Sequence, residues 1–460
     1  MKKTNDLGKD KISSLVYKLA IPTMIAQLVN VLYSIIDRMY IGNIPEIGDI
    51  ALAGVGVCGP IVTLLSSFGT LVGLGGSILM AMKMGEQKKK EAEQILSNSF
   101  LMLLIVSGAL TFIFLLSKDF LLYQFGASDI TFPYANTYMT IYTIGTFFAL
   151  LSIGLNYFIT CQGYSMVSMT TVLIGAISNI ILDSVFVFVL HMGVAGAAIA
   201  TVIAQLFSCL FALTFLFRKQ VPIRITFGGY SMAIVKKIIS IGLSPFIILA
   251  TDSIIIIIMN AVLQYYGGKS EGDLLISAAT IVQSYMLLIT GPMIGITGGT
   301  QAIISYNYGA ARADRIKQAE RLILTLCIVF TSIMFLVSRS IPQYFVKIFT
   351  TDTSLSQTSV WGIKVFTLGI IPLSFQYALV DGLTALGRTK TALALSLFRK
   401  SSFVVYTLLL PALFTAKSVF YAEPLCDTIS AIITTTVFLK VFSKHLDARC
   451  KNTKLQGINS

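Results

Sequence analysis

The chain has 460 residues, 55% of them hydrophobic and only 12% charged, with a formal net charge of +13. That balance excludes a soluble domain, in which about 25% of residues are charged. The basic excess is spread over many short loops rather than gathered in one patch, which argues against a nucleic-acid-binding surface.

A membrane-spanning helix needs about 20 consecutive apolar residues. The sequence predicts twelve such helices, at 15–41, 52–82, 94–116, 135–160, 166–190, 194–217, 237–265, 274–304, 320–338, 358–385, 391–414 and 418–441. None carries the alternating polar pattern of a membrane barrel, so an all-α integral membrane fold is expected. The polar, lysine-rich stretch 1–14 has no short apolar core and no small-residue cleavage site, so no cleaved signal peptide is expected. Segments on the N-terminal side of the membrane hold about 25 Lys and Arg residues. Those on the other side hold about five, Lys118, Lys269, Arg339, Lys347 and Lys417, which places both termini in the cytoplasm. The expected organisation is a cytoplasmic segment 1–14, a first lobe of six helices at 15–218, a cytoplasmic loop 219–236, a second six-helix lobe at 237–441 and a basic tail 442–460. The long inner segment 219–235 reads as a hinge between the lobes.

Polar residues inside these spans need a reason, because a charge at the bilayer centre costs about 2.5–3.5 kcal/mol. In the first span, Pro22 removes a backbone hydrogen bond and loosens the helix, and Asp37 follows near its outer end. In the fifth span, Asn179 and Asp183 are four residues apart and share one helix face. Thr201 in the sixth span falls at the depth of Asp183. Two carboxyls, an amide and a hydroxyl in one depth band suit a proton relay or an all-oxygen cation site. Interhelical hydrogen bonding is the alternative for Asn179 and Thr201, as is a pairing with Arg38 for Asp37. Asp252 in the seventh span has nothing at matched depth to neutralise it. Asp381 in the tenth span lies within reach of Arg399 in the eleventh, which favours a buried pair, with Lys400 directed elsewhere. Asp252 and Asp381 are also candidates for a substrate cleft. The glycines at 69, 73, 75 and 76 and at 291, 295, 298 and 299 have the spacing of close helix packing.

The six cysteines form no CxxC, the two histidines are far apart, and no phosphate-binding loop is present. These absences argue against an enzyme, a structural metal and a bound cofactor.

The chain also repeats itself at an offset of about 224 residues. Tyr142-Thr143-Ile144-Gly145 returns as Phe366-Thr367-Leu368-Gly369, and Thr160-Cys161-Gln162-Gly163 as Thr384-Ala385-Leu386-Gly387. Gly75-Gly76-Ser77 before Gly85 returns as Gly299-Thr300-Gln301 before Gly309. Six spans per half make the repeat parallel, and duplicated apolar halves point to a transporter with its substrate between them.

These stretches resemble the multidrug and toxic compound extrusion (MATE) family over about residues 10–445. The resemblance is carried by Pro22 through Tyr33-x-x-x-Asp37-x-x-Tyr40-Ile41-Gly42, by Asn179-Ile180-Ile181-Leu182-Asp183, and by Gly193 through Thr201. Asp37-Arg38 and Ser305-Tyr306-Asn307-Tyr308-Gly309 look like its bacterial MepA-type branch. The resemblance implies a V-shaped pair of six-helix lobes in a bacterial cytoplasmic membrane, working as a monomer without an obligate protein partner. It implies an antiporter that exports lipophilic, mostly cationic compounds by alternating access, driven by H⁺ or Na⁺. The family's coupling network then maps onto Asp37, Asn179, Asp183 and Thr201, with Asn156 in the fourth span added, and Pro22 matches its bending point. Any Na⁺ would sit among those first four residues. Ser184 replaces the family's usual proline after the fifth-span aspartate. The surroundings of Asp252 and Asp381 match poorly, so no role is carried over to them. The competing expectation is a flippase for a lipid-linked or polysaccharide precursor, which calls for further spans and a more cationic cleft.

Overall fold

The computed structural model describes residues 5–458, with the side chains of Asp49, Ser253, Lys269, Ser270, Asp447 and 450–458 left aside. Lys2, Lys3 and the Cys450 thiol thus lie outside the described residues. Among the described residues, twelve helices are long and apolar enough to cross a membrane. Spans one to six are Ile12–Gly42, Ile50–Gly85, Lys89–Gln124, Phe132–Cys161, Ser165–Val189 and Gly193–Leu216. Spans seven to twelve are Met232–Gly268, Glu271–Gly309, Ala313–Ser340, Thr353–Ala385, Thr389–Leu413 and Ala416–Leu446. The protein is an all-α, multi-pass membrane protein, as the apolar runs predict.

The repeat is written into the backbone. Gly163 and Gly387 sit at equivalent positions after the fourth and tenth spans, with φ of +87° and +74°. Each closes its helix with the same pair of bonds. Gly163 N–H donates to Thr160 O and Tyr164 N–H to Ile159 O, while Gly387 N–H donates to Thr384 O and Arg388 N–H to Leu383 O. Left-handed glycine caps of this kind satisfy the last carbonyls of a helix. Gly145 and Gly369 are also equivalent in use. A Cβ at Gly145 would collide with Val202 of the sixth span, and one at Gly369 would lie 2.7 Å from Pro424 Cα of the twelfth. In each half the fourth helix therefore needs a glycine where the sixth presses on it. The copies differ there in one respect: the tenth span tightens into a 3₁₀ turn at Thr367–Gly369, while the fourth runs straight through.

The chain divides into two compact units, residues 1–10 with 21–250 and residues 11–20 with 251–460. The first unit has an apolar core drawn from Ile41, Val55, Ile61, Leu65, Met139 and Ala198 on spans one, two, four and six. Its glycine string packs closely, since a Cβ at Gly73 would lie 2.7 Å from Gly154 Cα and one at Gly76 2.6 Å from Phe158. Leu116, Phe112 and Phe120 on the third span are exposed, as lipid-facing residues are.

The loop 219–235, read as a hinge, is held to the first unit. Val221, Ile223 and Ile225 alternate inward and are buried. Gln162 Oε1 accepts from Ile223 N–H at 2.9 Å, Ser97 Oγ donates to Thr226 O at 2.6 Å, and Asn98 bonds both Gly229 O and Ser231 N–H.

Candidate functional site

In the first unit, the ends of the first and fifth spans bring Asp37 and Asp183 together, their carboxyls within hydrogen-bonding reach. Asp183 is fully buried, and neither of its oxygens has a donor. Asp37 Oδ1 is likewise buried without a donor. Arg38 points out to the surface and makes no ion pair among the described residues, so it does not neutralise Asp37 by direct contact. Two carboxylates this close repel, and they are stable together only with a proton or a cation between them.

The surroundings are oxygen-rich. Asn179, one turn before Asp183, donates from Nδ2 to the Thr201 hydroxyl at 3.3 Å, leaving its own Oδ1 buried and unpartnered. Four of the residues expected from the sequence, Asp37, Asn179, Asp183 and Thr201, thus lie on three neighbouring helices of one unit. Asn156 has a buried, unpartnered Oδ1 but shares no hydrogen bond with them among the described residues.

Two tyrosines lie near the carboxyls, and a third packs on one of them. Tyr33, one turn before Asp37, is near both acids, and Tyr138 is near Asp37. Tyr138 stacks on Tyr142 with ring centroids 6.1 Å apart. Tyr142 in turn reaches Gln205, whose Oε1 is buried and unpartnered. Sequence depth did not single out Tyr138, Tyr142 or Gln205. For Gln205 a signal exists, because it follows Thr201 by four residues and shares its helix face.

Immediately after Asp183 the fifth span widens into a π-turn, Ser184–Val189. Ser184 stands where the family pattern has proline. It donates to Ile180 O at 2.9 Å and lies 3.1 Å from the Tyr40 hydroxyl. Wide turns of this kind are frequent at functional sites. Pro22 lies inside an otherwise continuous first helix.

The second unit corrects two expectations. Asp252 is not left without a neutralising charge, because Lys400 Nζ forms an ion pair with it. Arg399 does not pair with Asp381. It holds Glu423 at 2.6 Å and Asp427 at 2.8 Å, both from the twelfth span. Asp381 instead faces Thr297 and Gln301 of the eighth span. No group of three His, Cys, Asp or Glu side chains able to hold a metal occurs among the described residues.

The MatE family model matches this chain twice, at residues 22–185 and 246–408. The two matches begin 224 residues apart, the offset of the internal repeat. The chain belongs to the MatE family. Among relatives, it is 24% identical to the multidrug export protein MepA of Staphylococcus haemolyticus over 416 residues, 90% of each chain. It is 23% identical to MepA of Staphylococcus aureus over 425 residues, 90% of this chain and 91% of that one. Its fold matches a multidrug resistance MATE family transporter of the MOP superfamily solved in an outward-facing conformation. That match has a TM-score of 0.89 and 21% identity, and covers 98% of this chain and all of the other. This MATE protein is thus a transporter of the MepA type.

Proposed function

We propose that this protein is a cation-coupled antiporter that exports lipophilic, mostly cationic drugs and other toxic organic compounds by alternating access. The observation that carries the reading is the buried contact between Asp37 and Asp183, with neither Asp183 oxygen partnered. A pair of this kind gains most from a small cation, and a carboxyl pair inside a span is a functional site by default. The MepA relatives, described as multidrug export proteins, support the transported class.

On this reading both termini are cytoplasmic and the pair opens toward the outside. H⁺ or Na⁺ entering from there neutralises the carboxyls and is held by oxygens of Asn179 and Thr201. The first span responds at Pro22, where the helix lacks one backbone bond. Drug and cation must favour different conformations, because a ligand that binds both equally shifts nothing. The working unit on this proposal is the monomer.

The test is transport by the purified chain in proteoliposomes, with an imposed pH gradient and an imposed Na⁺ gradient applied separately. Ethidium movement driven by either gradient supports the proposal and names the ion. Movement indifferent to both overturns cation coupling. Movement of a lipid-linked precursor in place of the dye would establish a flippase.

A further inference from the structure

We propose that Glu320 and Asp381, with Thr297 and Gln301, form a second binding site for one small monovalent cation, H⁺ or Na⁺, within the second unit. Glu320 stands eight residues into the ninth span, Ala313–Ser340. It is 5% exposed, and both of its carboxyl oxygens are buried without a donor.

The position is built to receive this carboxyl. Opposite it on the tenth span is Gly382, where a Cβ would lie 2.5 Å from one Glu320 oxygen and 2.6 Å from the other. Only a residue without a side chain lets the carboxyl lie against that helix. The neighbouring residue, Asp381, acts electrostatically on Glu320 and has the Thr297 hydroxyl and Gln301 amide within reach. Gln301 is 4% exposed, and its Oε1 is also buried and unpartnered. Three spans thus direct carboxyl, amide and hydroxyl oxygens to one place. Among the described residues, Cys327, fully buried and seven residues beyond Glu320, is a further titratable group that acts on the pair. The basic residues next along the ninth span, Lys317 and Arg321, are exposed.

A structural explanation does not account for this arrangement. A buried carboxyl without a donor is costly to the fold, and an apolar residue of similar size would pack there at less expense. All-oxygen surroundings with two acids match a proton or a hard monovalent cation rather than a soft metal. The site is not a copy of the first one. At the repeat offset, Glu320 corresponds to Leu96, Asp381 to Tyr157, Thr297 to Gly73 and Gln301 to Ser77, while Asp183 corresponds to Thr407. Each half therefore carries its own acid pair at its own place.

The experiment uses the full chain in lipid nanodiscs, in an Asp183→Asn background that disables the first pair. Binding of radioactive Na⁺ is measured by equilibrium dialysis. Protonated carboxyl groups are followed by infrared spectroscopy as pH is varied. In the Na⁺ case, Asp183→Asn retains one saturable site that Glu320→Gln removes. In the proton case, no Na⁺ binds, and a protonated-carboxyl band that titrates with pH disappears on adding Glu320→Gln. Asp381→Asn, an isosteric change on a different span, must cause the same loss, and it decides the matter alone if Glu320→Gln does not elute as a folded protein. Identical Na⁺ binding and identical infrared titrations with and without these changes would overturn the proposal. Neither readout involves transport, so the result stands apart from whether Asp37 and Asp183 couple export.

Discussion

Asn179, one turn before Asp183, gives its amide hydrogen to the Thr201 hydroxyl at 3.3 Å, and its amide oxygen is buried without a partner. An amide pinned by one end presents a defined acceptor to whatever neutralises the acid pair. On the proposed reading Thr201 both offers an oxygen to the ion and holds Asn179 in place. Replacing Thr201 with valine keeps the shape and removes one hydrogen bond, which is worth about 0.5–1.5 kcal/mol. The apparent affinity for the coupling ion should fall roughly threefold to tenfold at unchanged expression. An ion titration of transport in proteoliposomes reads this, and an unshifted midpoint would remove Thr201 from the site.

Asp183→Asn should abolish coupled efflux while leaving the fold intact. Asparagine is nearly isosteric, but it neither exchanges a proton nor supplies net charge. Wild-type drug resistance in a well-expressed variant would take Asp183 out of the mechanism.

Drug affinity should depend on the coupling ion. If neutralising the acid pair biases the protein toward one conformation, the drug's apparent dissociation constant must shift with pH or with Na⁺. A fluorescence titration that gives one constant across both variables would contradict the scheme.

Lipophilic cations should be better substrates than anions of equal hydrophobicity. The first unit offers two acids with Tyr33 and Tyr138 near them, which favours positive charge through attraction and cation–π contact. Resistance assays with matched pairs of compounds test this, and equal protection against the anions would defeat it.

Gly145→Ala should destabilise the first unit by about 1–3 kcal/mol, because the added methyl enters the volume of Val202. Val202→Ala in the same chain should restore much of the loss. Thermal unfolding of the two variants in detergent decides the point, and no rescue by the second change would mean that the contact is not the cause.

Much of the first unit was legible in the sequence. Twelve apolar runs, a fixed repeat offset and the four-residue spacing of Asn179 and Asp183 each follow from helix geometry, which sequence reports directly. Partners on distant helices were harder to read. Arg399 was matched with Asp381 by depth alone, but depth fixes only one coordinate, and the rotation of each helix gave the contact to Glu423 and Asp427. Glu320 stood at the predicted edge of the ninth span, where an acid needs no explanation. The helix in fact begins at Ala313, two turns earlier, which carries Glu320 into the packed interior. The hinge reading of 219–235 rested on loop length and missed the alternating Val221, Ile223 and Ile225, which are buried.

That buried segment lies in the stretch between the two family matches, 22–185 and 246–408. Its apolar residues and its bonds to Ser97, Asn98 and Gln162 make it a part of the first copy's surface. A first half expressed by itself should therefore extend through Ser231, because truncation after Leu216 would strip the cover from those side chains. Trypsin should be slow at Arg224 for the same reason, although that residue is exposed and lies between two helices. Its flanking residues are held in place and cannot readily enter a protease cleft.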